Sequence, residues 1–197
     1  ITEVGPAGSI NSNVVDMIEW VKLQLNNGKH NDQTIVSETN MRQLHSPQMV
    51  ISDPLWNEVF GASLISYGMG WFINPFHDQV LIHHGGNIDG FSALVSFMPG
   101  KNTGMVVLTN LNGNSLTQVI THTFFDRLLE KEGKDWHAHF MDFRNRMMEQ
   151  AEKAKAQSDA DKVPNTQASH ALDAYVGEYE FPGYGVFSVT KDGDKLV

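Results

Sequence analysis

Apolar residues recur along this chain with two periods. Val14, Met17, Ile18, Val21 and Leu25 fall three or four positions apart, with Trp20 beside them, which predicts a helix turning one face to a core. Gly5-Pro6-Ala7-Gly8-Ser9 ahead of it is a loop signal. Ser12 stands where an N-cap oxygen can accept from a free first-turn amide, and Asn26-Asn27-Gly28 supplies the stop. Ser37 is placed to cap a second, short helix through Met41 and Leu44. That helix ends at His45-Ser46-Pro47, because the residue before a proline disfavours helical geometry. The sequence names no partner for His45. From Gln48 to Ser66 apolar residues mix with Asp53-Pro54 and Gly61 without a period, and loop with short helical turns is expected there.

The pattern then becomes that of strands. Tyr67-Gly68-Met69-Gly70-Trp71-Phe72-Ile73 alternates glycine with large residues and reads as one strand ended by Asn74-Pro75. Val80 to His84, Phe91 to Met98 and Met105 to Asn110 read as three more. Pro99-Gly100-Lys101-Asn102-Thr103-Gly104 has the composition of a turn, so the last two form an antiparallel hairpin in a meander of at least three strands. Asn112-Gly113-Asn114-Ser115 opens an amphipathic helix with Leu116, Val119, Ile120, Thr123, Phe124 and Leu128 on or near one face, expected to lie across the sheet. The class this predicts is α+β, an antiparallel sheet covered by helices. Trp136, Phe140, Phe143, Met147, Ala151 and Ala154 mark another helix, with Asp142–Arg146 and Glu149–Lys153 as i,i+4 pairs. Lys155 to Ser169 reads as a linker by composition. Tyr175 to Phe181 and Val186 to Val189, separated by Pro182-Gly183, look like the first strands of a β domain.

Composition narrows the function. A formal net charge of -9 argues against a nucleic-acid-binding surface, which relies on clustered Lys and Arg. Without cysteine, disulfides, thiolate metal sites and a Cys nucleophile are excluded. No apolar run approaches the ~20 residues of a membrane-spanning helix, and no signal peptide is visible. The chain opens on Ile1 and closes in a strand-like Lys195-Leu196-Val197, so both ends read as cut.

Candidate chemistry is sparse. No Gly-x-Ser-x-Gly elbow or His-Glu-x-x-His helix occurs. Ser188-Val189-Thr190-Lys191 is the only Ser-x-x-Lys, and it lies in a strand pattern, where the two side chains point to opposite faces. Ser9-Ile10-Asn11 matches a Ser-x-Asn pattern of common residue types. His137 and His139 would sit about 200° apart on a helix and cannot grip one metal from one face. His83 and His84 alternate faces of a strand, so at most one of them faces a site. No metal or cofactor is expected. What remains is His83-His84-Gly85-Gly86-Asn87-Ile88-Asp89-Gly90-Phe91. An oxyanion hole needs backbone N–H groups aimed at developing negative charge, and an edge free of side chains can pair with an extended substrate. Gly85 and Gly86 suit both tasks. Taken alone, the string equally fits a structural histidine followed by a Gly86-Asn87 turn.

Several blocks in order carry a resemblance that no single one does. Pro6-Ala7-Gly8-Ser9-Ile10-Asn11-Ser12 precedes a helix with Asp16 and Trp20. Tyr67-Gly68-Met69-Gly70-Trp71, the His83 to Phe91 stretch, a Pro99-Gly100-Lys101 hairpin and Leu108-Thr109-Asn110-Leu111-Asn112-Gly113 follow. Over about residues 5 to 132 the chain resembles the C-terminal half of the β-lactamase-related serine hydrolases, the class C β-lactamase, DD-peptidase and esterase relatives. From Tyr175 onward it resembles the start of a small β domain appended to such enzymes. The resemblance implies a β-lactamase/transpeptidase-like fold divided as 1–132 (C-terminal part of the hydrolase domain), 133–170 (helix and linker) and 171–197 (start of the small β domain).

In that family Ser-x-x-Lys, Tyr-x-Asn and Lys-Thr-Gly or its His-x-Gly variant meet in one cleft. His84-Gly85-Gly86 matches the third. The match implies that His84 supplies the cationic or proton-relaying group, that the Asn87 backbone N–H contributes to the oxyanion hole, and that Gly85 and Gly86 border the substrate. No Tyr-x-Asn occurs, and a helical Ser-x-x-Lys is expected upstream of Ile1. The implied activity is acyl transfer on β-lactam, D-amino-acid peptide or ester substrates, in the periplasm or outside the cell. The missing N-terminal half is then the partner, and this chain alone is inactive. The alternative within the same fold is a non-catalytic peptide- or β-lactam-binding or sensor protein.

Overall fold

The computed structural model describes residues 5–164 and 166–197. One helical turn, Gly5–Gly8 (α1), stands where the loop signal lies, and Val14–Leu25 (α2) follows. Asn13 caps α2 in place of Ser12: its Oδ1 accepts from the Val15 and Asp16 amides at 2.9 and 3.2 Å. Met17, Val21 and Leu25 face the core, but Val14, Ile18 and Trp20 are exposed and Leu23 and Gln24 are buried instead. Lys29–His30 (β1) and Gln33–Thr34 (β2) form a hairpin that the sequence reading passed over. Its turn residues Asn31 and Asp32 both have positive φ, 46° and 62°, as a two-residue primed turn requires. Glu38–Leu44 (α3) is capped by Ser37, as expected, through the Asn40 amide at 3.2 Å. His45 has a partner after all: its Nε2 lies 2.8 Å from Gln24 Oε1.

The stretch expected to be loop holds Met49–Ile51 (β3), Pro54–Phe60 (α4) and the start of Ile65–Tyr67 (β4). Asp53 accepts from the Leu55 amide at 2.9 Å, Pro54 takes the first helical position, and Gly61 closes α4 with φ 64°. Nor is Tyr67–Ile73 one strand. Tyr67 ends β4, the chain turns at Gly68 to Trp71, and Phe72–Phe76 (β5) runs on through Asn74-Pro75. A Cβ at Gly68 would come within 2.3 Å of the Leu44 carbonyl oxygen, so only glycine fits that turn. Pro75 is tolerated because β5 pairs with β4 only at Phe72 and Ile73, and no ladder bond is lost beyond them. Gln79–Ile88 (β6), Phe91–Met98 (β7) and Thr103–Thr109 (β8) complete the sheet. β6 extends past His84 to include both glycines, and the turn lies at Asp89-Gly90 rather than Gly86-Asn87.

The six strands pair antiparallel in the order β3-β4-β5-β6-β7-β8. α2 covers one face, with Val21 against Ile73, Ile82, Val95 and Phe97. It approaches so closely that a Cβ at Gly104 would lie 2.3 Å from Val21 Cγ1. Leu116–Leu128 (α5) and the start of Trp136–Asp161 (α6) cover the other face, where Phe125, Trp136 and Phe140 meet Phe76, Leu81 and Met98. α5 lies across the sheet as expected, but its buried stripe is Thr117, Thr121, His122, Phe125 and Asp126. Leu116, Ile120 and Leu128 are exposed. Asp126 organises that choice: His77 Nε2 is 2.6 Å from its Oδ1, and the Trp136 indole N–H donates to its Oδ2 at 2.5 Å. A buried carboxylate is retained where such partners surround it.

Two compact units result, Ile1–Glu149 and Gln150–Val197. α6 continues as helix to Asp161, so the segment read as linker from Lys155 begins helical; alanines there carry high helix propensity. In the second unit Gly177–Phe181 (β9) pairs with Gly185–Val189 (β10), with Tyr179 stacked on Phe187 at 5.3 Å, and Lys191–Asp192 (β11) pairs with Lys195–Leu196 (β12).

Candidate active site

The site follows from where hydrogen bonds point along β6. Asp89 and Gly90 have φ of 42° and 90° and form a two-residue turn, so the flanking Ile88 and Phe91 exchange both backbone hydrogen bonds. Bonded pairs alternate in an antiparallel ladder, so Gly86/Ala93 and His84/Val95 are bonded as well. Gly85 and Asn87 therefore aim N–H and C=O away from β7, toward β5. β5, however, begins at Phe72, opposite His83. Among the described residues no strand runs beside Gly85 to Asn87 on that side, and the edge is bare.

His84 and His83 separate as alternation requires. His83 is 4% exposed, its Nε2–H donates to Asn74 Oδ1 at 2.8 Å, and Phe60 and Phe72 pack on its ring. Burial, helped by nearby His122 and His84, pushes this imidazole down to about 3, so it is a neutral structural residue at physiological pH. His84 is exposed. Its Nε2 lies 3.0 Å from the Tyr67 hydroxyl, and its ring stacks on Phe72 with centroids 5.7 Å apart. Tyr67 is the residue that sequence reasoning missed: seventeen positions separate the pair, and only the β4-β5-β6 register brings them together.

Gly86 shares a face with His84, and a Cβ there would meet nothing within 4 Å. Gly85 and Asn87 share the face of His83, which borders a cavity of 190 Å³ between the sheet, α4 and α5. The Asn87 side chain is committed to structure: its Oδ1 accepts from the Gly113 N–H at 3.1 Å and lies 2.5 Å from the Ser92 hydroxyl. What Asn87 can offer a ligand is its backbone N–H on the bare edge. An edge of this kind beside an imidazole can bind an extended chain and hold an oxyanion.

The other candidates scatter. Ser188 and Lys191 lie in β10 and β11, not on a helix. The Ser9 hydroxyl donates to the Gly5 carbonyl at 2.7 Å, and His139 is 3.1 Å from the Glu58 carbonyl oxygen. Among the described residues, no three His, Asp or Glu side chains are grouped to hold a metal ion, and no helix is long and apolar enough to cross a membrane.

The chain is similar to known proteins. The beta-lactamase family matches residues 2–125, and the domain of unknown function DUF3471 matches residues 161–197. Protein flp of Staphylococcus aureus (strain NCTC 8325 / PS 47) is 30% identical over 118 residues, covering 59% of this chain and 20% of its own length. The unguisins hydrolase ungD' of Aspergillus campestris (strain IBT 28561) is 23% identical over 200 residues, covering 98% of this chain and 36% of its own. Among solved structures, the octameric penicillin-binding protein homologue from Pyrococcus abyssi has the same fold over 94% of this chain and 34% of that one, with a TM-score of 0.54 at 22% identity. The chain thus spans only 20% to 36% of the length of these relatives.

Proposed function

This chain belongs to the beta-lactamase family, and on that premise we propose that it forms the His84 wall of an acyl-transfer site in a serine hydrolase. The observation that carries the reading is the bare edge from Gly85 to Asn87 beside an exposed His84. The Asn87 N–H serves as one donor to the tetrahedral oxyanion, and the Gly85–Gly86 edge receives the substrate backbone. His84 contributes a cation or relays a proton.

The nucleophile comes from a Ser-x-x-Lys, with Tyr-x-Asn beside it, in residues this sequence does not contain. The serine oxygen attacks the substrate carbonyl, the oxyanion collapses with loss of the amine or alcohol leaving group, and water then releases the acyl group. Substrates are β-lactams, D-amino-acid peptides or small esters, met in the periplasm or outside the cell. The name of the unguisins hydrolase supports hydrolysis as the outcome. Residues 1–132 act as the hydrolase part, 133–170 as helix and linker, and 171–197 as the start of a separate β domain.

Nitrocefin and p-nitrophenyl ester assays test this. The chain alone is expected to stay at background, and the protein carrying the upstream motifs to turn over. In that protein His84→Ala should lower turnover by roughly ten- to a thousandfold at unchanged stability. Turnover by the isolated chain, or full activity in His84→Ala, would refute the assignment.

A further inference from the structure

We propose that Tyr67 is the positioning residue for His84, holding the imidazole with Nε2 as acceptor and Nδ1–H turned outward as donor. The inference rests on the reading of His84 as a site residue. An exposed histidine on a bare strand edge is free to rotate about χ1 and χ2, and a group that acts on a developing charge cannot be left so free. Two neighbours remove that freedom. Phe72 lies against the imidazole with planes 29° apart, and the Tyr67 hydroxyl sits 3.0 Å from Nε2. Tyr67 is itself fixed. It pairs with Phe72 across β4 and β5, its carbonyl accepts from the Gln48 N–H at 2.9 Å, and Phe72 meets its ring edge-on at 4.9 Å.

The tautomer follows from hydrogen-bond inventory. Among the described residues the Tyr67 hydroxyl has no partner other than His84. Its proton is best used on the Nε2 lone pair, which leaves the ring proton of a neutral His84 on Nδ1. When His84 gains a charge, the hydroxyl turns and accepts from Nε2–H, and Nδ1–H remains a donor. Tyr67 thus keeps the outward nitrogen a proton donor in both charge states. That suits a group that stabilises negative charge or protonates a leaving group, and it does not suit a general base.

Two-bond ¹H–¹⁵N spectra of the imidazoles, recorded on this chain above the histidine titration range, give the test. The wild type should show His84 as the Nδ1–H tautomer, and Tyr67→Phe, which keeps the ring and loses the hydroxyl, should convert it to the Nε2–H form that a solvated histidine prefers. An Nε2–H pattern in the wild type, or an identical pattern in both chains, overturns the proposal. In the longer protein, Tyr67→Phe should lower kcat by roughly ten- to a hundredfold with KM little changed. A loss of kcat without tautomer conversion would assign Tyr67 to packing and overturn the proposal equally. His84→Ala in the same protein separates the two readings: full activity there removes the catalytic role of His84, while the tautomer result still reports whether Tyr67 holds it.

Discussion

Under the proposed function, folding and chemistry make opposite demands on Gly86. Its Cβ position is empty within 4 Å and its φ lies outside the left-handed region, so nothing in the described residues requires glycine there. Glycine in a strand interior costs stability relative to alanine, by about 0.5–1 kcal/mol. Gly86→Ala is therefore expected to raise the denaturant midpoint of this chain by about that free energy, and, on the proposed function, to lower turnover of the longer protein because a methyl group occupies the face shared with His84. A destabilised variant, or one with undiminished activity, would contradict this. At this scale the sequence was informative in part. Alternation alone separates His83 from His84, since a strand must bury one and expose the other. The Tyr67–His84 contact was illegible, because it depends on a register set by two intervening turns.

Elements were legible where length and capping agreed, and less so where they were short. α3 is capped by Ser37, as its sequence indicates, but α2 starts one residue later than expected because Asn13 outcompetes Ser12: its longer side chain reaches two amides at once. Asn13→Ala should cost about 1 kcal/mol of stability by urea titration, and Ser12→Ala close to nothing. Equal effects would restore Ser12 as the cap. Between Gln48 and Ser66 no period could emerge from strands of three residues and a helix of seven, although Asp53-Pro54 and Gly61 are a start and a stop that hydrophobic spacing does not register. Along α5 only Val119 and Phe124 of the expected apolar stripe pack against the core. Thr121 and Asp126 are buried because Met105 of β8 and Trp136 supply their partners, information that lies outside the helix.

For the molecule as a whole, buried imidazoles set the response to acid. Burial holds His83 down to about 3 and His122 to about 4, against an unfolded value near 6.5, and lowers His45 in the same sense. Below about 6.5 the unfolded chain takes up protons that the folded chain refuses. Stability is thus fully present above that pH and is lost as pH falls toward the folded values, by at most about 1.4 kcal/mol per pH unit for each histidine. Urea midpoints at pH 7, 6 and 5 should fall in that order, and a constant midpoint would show that the buried rings accept charge. The α+β layering was legible from the switch in apolar period, whereas the full count of six strands was hidden by the Tyr67 turn and the short β3. That sheet also carries a kinetic consequence. From β4 to β8 each strand pairs with its neighbour in sequence through short turns such as His77-Asp78 and Asp89-Gly90, and only the β3–β4 pair closes across a longer segment, the one that holds α4. A hairpin closes in about 1–10 μs, and each new strand finds its template already adjacent. The bare Gly85–Asn87 edge, which lies on β6 between two such hairpins, therefore takes shape within the same local zippering that builds the sheet, before any distant segment has to arrive.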